Sequence, residues 1–378
     1  MAVSRINEAG LNVNQYGNRN LVINGAMQVA QRGTSATTSG YSTVDRFVCT
    51  FSGHDEAPTI AQHTLTSSDT GVYEKGFRES FHITNGNQTS GAGTSDRLFM
   101  QYRIEAQDLA KSGWDYTSSS SNITLSFYCR SSVAQNFYGR LTSQDGTQQN
   151  YAFETGSLTA DTWTRITKTI PGNSSITIDD NNNIGLSVEL VMFRGTDTTD
   201  NSVPLNAWQT YSSSARMPDN TSTWYTTNDA TFEITGVQIE VGDTATDFEH
   251  RTFADELIKC QRYYTKYAET GGSGSNAYLR YGTGQAQTST IAEIPINSHT
   301  VMRADPELET TGTFSNYAIW ARGSIYALTN VVVEVSGHSN GQLFTLTATV
   351  ASGLNAGDSV SLLNNNSTTA YLAFSAEL

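Results

Sequence analysis

Residues 232–267 constrain the fold more than any other stretch of this chain. They read FEITGVQIEVGDTATDFEHRTFADELIKCQRYYTKY. Up to position 241, apolar residues alternate with polar ones, which is the period of a β-strand with one buried face. The alternation slips by one residue at Gly236, and such a slip predicts a β-bulge. We therefore expect a β domain to close at this strand.

A helix is predicted directly after this strand, over residues 251–268. Thr252 is placed as its N-cap, with Asp255 three residues later. Five residues inside the helix repeat at spacings of four, three, four and three: Phe253, Leu257, Cys260, Tyr264 and Tyr267. This heptad pattern covers only about two repeats, whereas a free coiled coil usually needs three or more. It indicates either a helix packed on a neighbouring sheet or an oligomer seam, for which a trimer is expected.

Short apolar runs separated by Gly, Asn and Ser occupy both flanks of this stretch. The predicted strands before it are 77–84, 98–105, 123–130, 137–142, 163–170 and 184–193, and those after it are 278–281, 289–296, 316–320, 331–335, 343–350 and 370–374. Strands at this frequency, with no helix between them, predict an all-β chain. We expect a jelly-roll β-sandwich over 20–250 and a smaller C-terminal β-sandwich over 269–378.

The segments outside the two β domains differ in composition. Residues 1–19 contain few large apolar groups and are interpreted as an N-terminal arm, either frayed or ordered against a partner. Residues 269–276, ETGGSGSN, have the composition of a flexible hinge. The chain thus divides into an arm, a jelly roll, a connecting helix and a second β domain.

The net charge of the chain excludes some classes of function. A formal charge of −14 disfavours binding to nucleic acid and to anionic membrane surfaces, because both need clustered Lys and Arg. No run reaches the roughly 18 apolar residues that span a bilayer, and the N-terminus lacks the apolar core of a secretory signal. We expect synthesis in the cytoplasm and no membrane insertion.

Several motifs resemble one known family. The segments NRNLVINGAMQVAQRGTS at 18–35 and YSTVDRF at 41–47 resemble the opening of virion-associated tail-fibre proteins of tailed bacteriophages. The segment 234–267 resembles the closing strand and helix of these proteins, and 294–309 and 371–378 resemble their C-terminal domain. The resemblance implies a jelly roll related to carbohydrate-binding modules, homotrimeric assembly and a place on the phage particle.

Catalytic and cofactor sites are not predicted. The histidines are scattered and no GxSxG elbow is present. The Gly-rich segments 89–95 and 282–285 lack a Walker lysine, so no nucleotide cofactor is expected. The three cysteines match neither a disulfide framework nor a zinc spacing, which indicates buried thiols. No metal site is assigned, although DDNNN at 179–183 offers oxygen ligands of the kind that calcium prefers, without a recognised spacing.

Sugar binding has more support from the sequence. Sugar sites combine exposed aromatic rings with polar side chains, and five aromatic residues in polar, loop-like surroundings are candidates: Trp114, Tyr116, Trp208, Trp224 and Tyr225. In the C-terminal domain, Trp320 and Tyr317 raise the same question. The alternative interpretation is that these rings close the ends of the sandwich, since buried aromatic side chains contribute large burial energies. The sequence leaves both interpretations open.

The functional expectation is a non-enzymatic virion protein. We expect a trimeric tail fibre that attaches to host-surface polysaccharide and contacts other virion proteins through the N-terminal arm. One alternative is a head decoration or tail adaptor protein that binds only virion partners. The other is a polysaccharide depolymerase, which needs two carboxyl groups facing each other about 5 to 9 Å apart.

Overall fold

The computed structural model describes residues 19–268, 278–334 and 341–378. The chain forms two compact units: the first extends to Glu256 and includes Leu378, and the second comprises Leu257–Glu377. The predicted arm, except for Arg19, and the predicted hinge at 269–276 lie outside the described residues. Both therefore stay predictions.

The first unit consists of short antiparallel strands with two short helices between them. Its described strands are β1 Ser35–Ala36, β2 Phe47–Ser52, β3 Thr59–Thr64, β4 Glu79–Thr84, β5 Arg97–Glu105, β6 Asn122–Ser131, β7 Asn136–Ser143, β8 Gln149–Ser157, β9 Thr164–Pro171, β10 Ile184–Arg194, β11 Trp208–Thr210 and β12 Thr231–Val241. The helices are α1 Ala106–Ala110 and α2 Thr223–Thr226. The all-β prediction is confirmed.

Two six-stranded sheets build this unit. The first has the order β1-β3-β4-β12-β6-β9 and the second the order β11-β8-β7-β10-β5-β2. Successive strands often belong to different sheets, which is the connectivity of a jelly-roll sandwich. The sheets share one apolar core, to which Phe81 and Ile234 contribute from the first sheet and Tyr102 and Leu190 from the second. The strand pattern places an apolar face of each sheet against the other.

Strand β10 departs from the predicted pattern on its outer face. Alternation along this strand predicts a buried face with Leu190 and an exposed face with Ser187 and Glu189, but all three residues are buried. A second, small apolar cluster that includes Val191 and Met217 covers part of this outer face. Loop packing therefore buries a face that alternation alone predicts to be exposed.

Gly236 forms the predicted bulge in β12. Its φ is +65°, and the register of β12 against β6 shifts between Thr235 and Gln238. A Cβ atom at this position would lie 2.6 Å from Cζ of Phe77, closer than van der Waals contact allows. Both the left-handed backbone and the close ring favour glycine here.

The second unit is also built from strands. Its described strands are β13 Tyr264–Ala268, β14 Arg280–Ala286, β15 Ile291–Asn297, β16 Glu307–Thr310, β17 Tyr317–Ala321, β18 Ser324–Glu334, β19 Leu343–Val350, β20 Ser359–Asn364 and β21 Tyr371–Ser375. Six of them close into a barrel in the order β14-β15-β19-β18-β17-β20, and β13, β21 and β16 form a three-stranded sheet.

The closed barrel corrects the prediction of a smaller two-sheet sandwich. On β19, Phe344 and Leu346 are buried as expected from alternation. Alternation identifies the buried face of a strand, but it does not show whether the sheet closes on itself. Closure is decided by the pairing of β20 with β14, which removes the open edges of the sheet.

Helix α3, Phe253–Gln261, begins where the sequence predicts. The backbone N–H of Asp255 donates to Oγ1 of Thr252 at 3.2 Å, and the Thr252 hydroxyl donates to Oδ2 of Asp255 at 2.6 Å. The first bond is that of an N-cap residue, while the second joins the two side chains, whereas in a full capping box the Asp255 carboxylate would accept from the backbone N–H of Thr252. None of the described helices is long and apolar enough to cross a membrane.

The predicted extension of this helix to residue 268 is wrong. Tyr264 and Tyr267 lie in β13, which pairs with β21 from Tyr264 opposite Ser375 to residue 268. Aromatic and β-branched residues favour a strand once a partner strand offers its backbone hydrogen bonds. The five residues of the predicted seam therefore share no helical face: Phe253 is 56% exposed, Leu257 half-buried, and Cys260 and Tyr264 buried.

The three cysteines are buried thiols, as the sequence indicates. Cys49 and Cys129 contribute to the core of the first unit. Burial raises the pKa of Cys129 to about 12 and that of Cys49 further. Both are therefore protonated at neutral pH and have the character of small apolar residues.

Candidate functional site

Three of the five predicted sugar-binding aromatics of the first unit are core residues. Trp114, Trp224 and Tyr225 are buried, and Trp224 has no exposed surface at all. The indole Nε1 of Trp224 donates to the carbonyl oxygen of Thr231 at 3.0 Å, which satisfies its polar atom inside the protein. A ring without an exposed face has no surface on which a sugar can stack, so these three assignments are corrected: the residues stabilise the sandwich.

Tyr116 and Trp208 are half-buried at the margin of the same core. The Tyr116 hydroxyl donates to the carbonyl oxygen of Ile178 at 3.4 Å. The Trp208 indole donates to the carbonyl oxygen of Pro171 at 2.7 Å and packs 5.3 Å from the ring of Tyr151. Both rings close an end of the sandwich. This favours the interpretation of the sequence in which these aromatic residues are structural.

Trp320, on β17 of the barrel, keeps 37% of its surface exposed. The guanidinium carbon of Arg280 lies 5.1 Å from the centroid of the indole, and Nη1 of Arg280 donates to Oγ of Ser361 at 3.1 Å. Register explains this grouping, because Trp320 pairs with Ser361 on one side and with the exposed Ile325 on the other. We call these four residues the Trp320 platform.

The Trp320 platform has the chemistry of a shallow sugar site. An exposed indole offers an apolar surface to the C–H groups of a pyranose ring. Arg280 supplies donors for sugar hydroxyls or carboxylates, and the buried Ser361 holds Arg280 in place by accepting its hydrogen bond. Tyr317, a neighbour in sequence, is buried, and its hydroxyl donates to the carbonyl oxygen of Tyr371 at 2.6 Å. Tyr317 thus supports the barrel from within.

A second polar group, which we call the Glu233 cluster, lies on the outer face of the first sheet. Glu233 Oε2 lies 3.1 Å from Nδ1 of His63 and accepts a hydrogen bond from Oγ of Ser80 at 2.7 Å. Its Oε1 lies 3.5 Å from Nδ1 of His82 and accepts a hydrogen bond from Nη2 of Arg130 at 2.5 Å. A single buried carboxylate therefore contacts two imidazoles, a hydroxyl and a guanidinium.

The register of four strands assembles this cluster. Glu233 on β12 pairs with His82 on β4 at one side and with Arg130 on β6 at the other. His63 on β3 pairs with Ser80 on β4. The sequence did not reveal the cluster, because its members are far apart along the chain and follow no motif spacing. The available signal was the alternation of apolar and polar residues along these strands. Alternation shows which residues share a face of one strand, but it does not give the order of strands in the sheet.

The charges of the Glu233 cluster favour an ionised carboxylate. Burial raises the pKa of Glu233, but contacts with His82, Ser80 and Arg130 lower it more, and the net pKa is far below the ordinary value. For Asp69, burial likewise raises the pKa, while the backbone of Thr66 and other contacts lower it to below the usual range. Neither carboxyl is held protonated at neutral pH.

Arg130 links the cluster to a second carboxylate and an aromatic ring. Its Nη1 lies 3.0 Å from Oδ1 of Asp69, and its guanidinium carbon lies 4.9 Å from the ring centroid of Trp163. Arg130 is thus bound by both Glu233 and Asp69. The two carboxylates and one guanidinium leave this part of the surface with a net negative charge.

A small cavity lies on the first unit. It has a volume of about 210 Å³ and is lined by Lys75, Phe77, Tyr128, Asp247, Phe248 and His250. Nε2 of His250 donates to the carbonyl oxygen of Lys75 at 2.8 Å, which fixes the imidazole at its rim. The volume is below the roughly 300–1,000 Å³ of typical ligand pockets, so the cavity is too small for an oligosaccharide.

The 179–183 stretch contacts residues from other parts of the first unit. The backbone N–H of Asp179 donates to Asp145, and Asp180 lies 2.7 Å from Nζ of Lys111. Across the described parts of the chain, the one set of three His, Cys, Asp or Glu side chains close enough to share an ion is the His63, His82 and Glu233 set. The two aspartates of this stretch are not part of it.

Comparison with known proteins gives structural similarities only. No family model and no curated protein matches the chain. The enzymatically active domain of bacteriophage CBA120 tailspike protein 4 matches with 9% identity and a TM-score of 0.30, over 59% of this chain and 22% of that one. A putative sugar binding protein from Bacteroides thetaiotaomicron matches with 11% identity and a TM-score of 0.30, over 59% of this chain and all of its own.

Carbohydrate-binding modules also match. The N-terminal cellulose-binding domain of Cellulomonas fimi β-1,4-glucanase C has 8% identity and a TM-score of 0.27, over 58% of this chain and 99% of its own. The TM-scores of all three structures are low, so these similarities assign the chain to no family. The function is therefore argued from the chain's own residues.

Proposed function

We propose that this protein is a non-enzymatic component of a phage virion, a trimeric tail fibre that binds host-surface glycans. The observation that carries the glycan part is the Trp320 platform, where an exposed indole stands beside Arg280 and Ser361. The resemblance of 18–35 and 234–267 to tail-fibre proteins supports the place on the virion.

Binding at this platform follows from its geometry. A sugar ring stacks its apolar face on the exposed part of Trp320, while Arg280 donates to hydroxyl or carboxylate oxygens at the ring edge. Such an open site excludes little water and binds weakly by itself. Three copies in a trimer raise the overall affinity, because the second and third contacts become intramolecular.

The carboxylates around Arg130 do not match the pair that a glycosidase needs. A glycosidase needs one carboxyl with a raised pKa as general acid beside an ionised partner. The pKa values of Glu233 and Asp69 are both lowered. This pair therefore lacks a general acid. Release of reducing ends from host polysaccharide by the purified protein would contradict the proposal.

The glycan part is tested with variants of the full chain on a glycan array of host envelope polysaccharides, followed by calorimetric titration of positive ligands. Trp320→Ala is expected to weaken binding about tenfold or more, a loss of about 1.4 kcal/mol, which is within the range expected for loss of an aromatic contact. Leu343→Ala is the matched control, because Leu343 is 40% exposed on β19, which does not pair with β17. Equal affinity of both variants would place the site elsewhere.

The virion and trimer parts have separate tests. Mass photometry of the full chain is expected to show three copies, and a stable monomer at micromolar concentration would exclude the trimer. Labelling of intact particles is expected to place the protein on the tail. Location on the head, together with no glycan binding, would favour the decoration alternative.

A further inference from the structure

We propose that His63, His82 and Glu233 form a binding site for a divalent transition-metal ion, with Zn²⁺ as the best fit. The three donor groups come from β3, β4 and β12, and their ligand atoms all lie within 4.8 Å of one another. Two imidazoles and a carboxylate are the donor set that zinc takes in open three-ligand sites. Imidazole donors favour zinc, copper or nickel over calcium and magnesium.

Two distances between donor atoms, one to each oxygen of Glu233, are close to those found around such an ion. Nδ1 of His63 lies 3.1 Å from Oε2 of Glu233, and Nδ1 of His82 lies 3.5 Å from Oε1. Around tetrahedral Zn²⁺ with bonds of about 2.0–2.1 Å, neighbouring ligand atoms are separated by about 3.3 Å. His63 is the outermost ligand, with 46% of its side chain exposed, and it lies on the solvent side of the site.

The second ring nitrogen of His82 is held in the way that a metal ligand requires. Nε2 of His82 lies 3.0 Å from Oγ1 of Thr84, while the buried Nδ1 makes no hydrogen bond. In the tautomer that donates from Nε2 to Thr84, Nδ1 has a free lone pair for an ion held between His82 and Glu233. Without an ion, a proton on Nδ1 can face the carboxylate at the same place, so metal and proton compete for this position. A histidine that donates its second ring nitrogen to an oxygen is also the usual arrangement of a metal ligand.

The carboxylate is oriented by residues outside the donor set. Ser80 donates to Oε2 of Glu233 at 2.7 Å, and Arg130 donates to Oε1 at 2.5 Å. The positive charge of Arg130 is balanced by Asp69, which lies 3.0 Å away. The sum of Glu233, Asp69 and Arg130 is one negative charge, so a dication entering between neutral imidazoles is electrostatically favoured.

Bound metal would clamp the outer strands of the first sheet. The ion joins β3 and β4 to β12, which lies inside the sheet. It would stabilise the native state, because ligands on three strands converge only after folding. The proposed glycan site is in the other unit, so the two proposals stand or fall separately.

The test uses the full-length protein, stripped with EDTA and titrated with Zn²⁺ and, separately, with Co²⁺. We expect one ion per chain by elemental analysis, a higher melting temperature with Zn²⁺, and the visible absorption of tetrahedral Co²⁺. His63→Ala and Glu233→Gln should each weaken Zn²⁺ binding at least tenfold and abolish the Co²⁺ spectrum. His299→Ala is the matched control, because His299 is an exposed histidine of the second unit.

The outcomes separate binding from folding. His63 is the most exposed ligand, so its variant should keep the melting temperature of the stripped wild-type protein while losing the rise with Zn²⁺. Equal Zn²⁺ affinity of His63→Ala and wild type would overturn the proposal. So would a wild-type protein that shows neither stoichiometric binding nor a Co²⁺ spectrum.

Discussion

At the residue scale, two buried glutamates show that the same residue type has different roles on the two sheets of the first unit. Glu233 contacts two histidines and lies near the protein surface. Glu189, on the outer face of β10, is enclosed by Arg140 and Arg194, with nitrogen–oxygen distances of 2.5 Å and 2.8 Å. Gln101 donates to the same carboxylate at 3.1 Å. Glu189 therefore has a structural role.

Replacing Glu189 with Gln should destabilise the first unit by about 3–5 kcal/mol, because Arg140 and Arg194 then keep their charges in a buried place without a counter-ion. The measurement is chemical denaturation followed by tryptophan fluorescence, which reports mainly on the first unit since four of the five tryptophans lie there.

The control for this substitution is Asp180→Asn. Asp180 forms an ion pair with Lys111, but both side chains are more than half exposed. Surface pairs of this kind contribute about 0–1 kcal/mol. A Glu189→Gln variant as stable as Asp180→Asn would contradict the role given to the buried carboxylate.

At the element scale, strand β12 combines several roles in the first sheet. It lies inside the first sheet, contributes Ile234 and Ile239 to the core, and contributes Glu233 to the outer face. The bulge at Gly236 allows both segments of the strand to direct apolar residues to the core despite the slip in alternation. Its glycine meets two requirements at once, a positive φ and a close aromatic neighbour.

Gly236→Ala should destabilise the first unit by about 1–3 kcal/mol, because the added Cβ would clash with the ring of Phe77 in addition to straining the backbone. Gly71→Ala is the control, since Gly71 also has a positive φ, of +91°, but has no atom within 4 Å of the added Cβ. The difference between the two variants in denaturant unfolding measures the clash. Equal losses of stability in the two variants would show that the ring of Phe77 moves aside without an energetic cost.

On the scale of the whole molecule, the described residues form one main apolar core in each unit. One fills the sandwich of the first unit, and the other fills the barrel of the second together with residues of β21. Carboxyl groups with lowered pKa values are found, among the described residues, in the first unit: Asp55, Asp69, Glu189, Asp200, Glu233 and Glu249. The two units should therefore respond differently to acid.

Scanning calorimetry should show two unfolding transitions, and acid should lower the temperature of the first unit's transition more. Burial raises the pKa of Glu189, but Arg140 and Arg194 lower it more, to about 2 from 4.5. A lowered pKa stabilises the native state above about pH 4.5, and this contribution is lost as the pH falls towards 2. Tryptophan fluorescence reports mainly on the first unit, so it shows which of the two transitions belongs to that unit. Equal shifts of both transitions between pH 5 and pH 2.5 would contradict this expectation.

The sequence alone determined the elements whose causes are local. Alternating apolar residues located most strands, the slip at Gly236 located the bulge, and Thr252 with Asp255 located the start of α3. These features depend on the period of a strand, on the conformational freedom of glycine and on hydrogen bonds within one turn. Each of these causes acts between residues that are close in the sequence, so the sequence is sufficient to predict the feature.

Only the tertiary structure decided features that depend on distant partners. Tyr264 and Tyr267 fit a heptad, but pairing with β21 makes them part of a strand. Trp224 and Trp320 are both sugar-binding candidates from the sequence, yet packing buries one and exposes the other. The Glu233 cluster exists because strand register places His82 and Arg130 on either side of Glu233. The physical reason is common to these cases: long-range pairing fixes which side chains meet, and its hydrogen bonds and buried area outweigh local propensity.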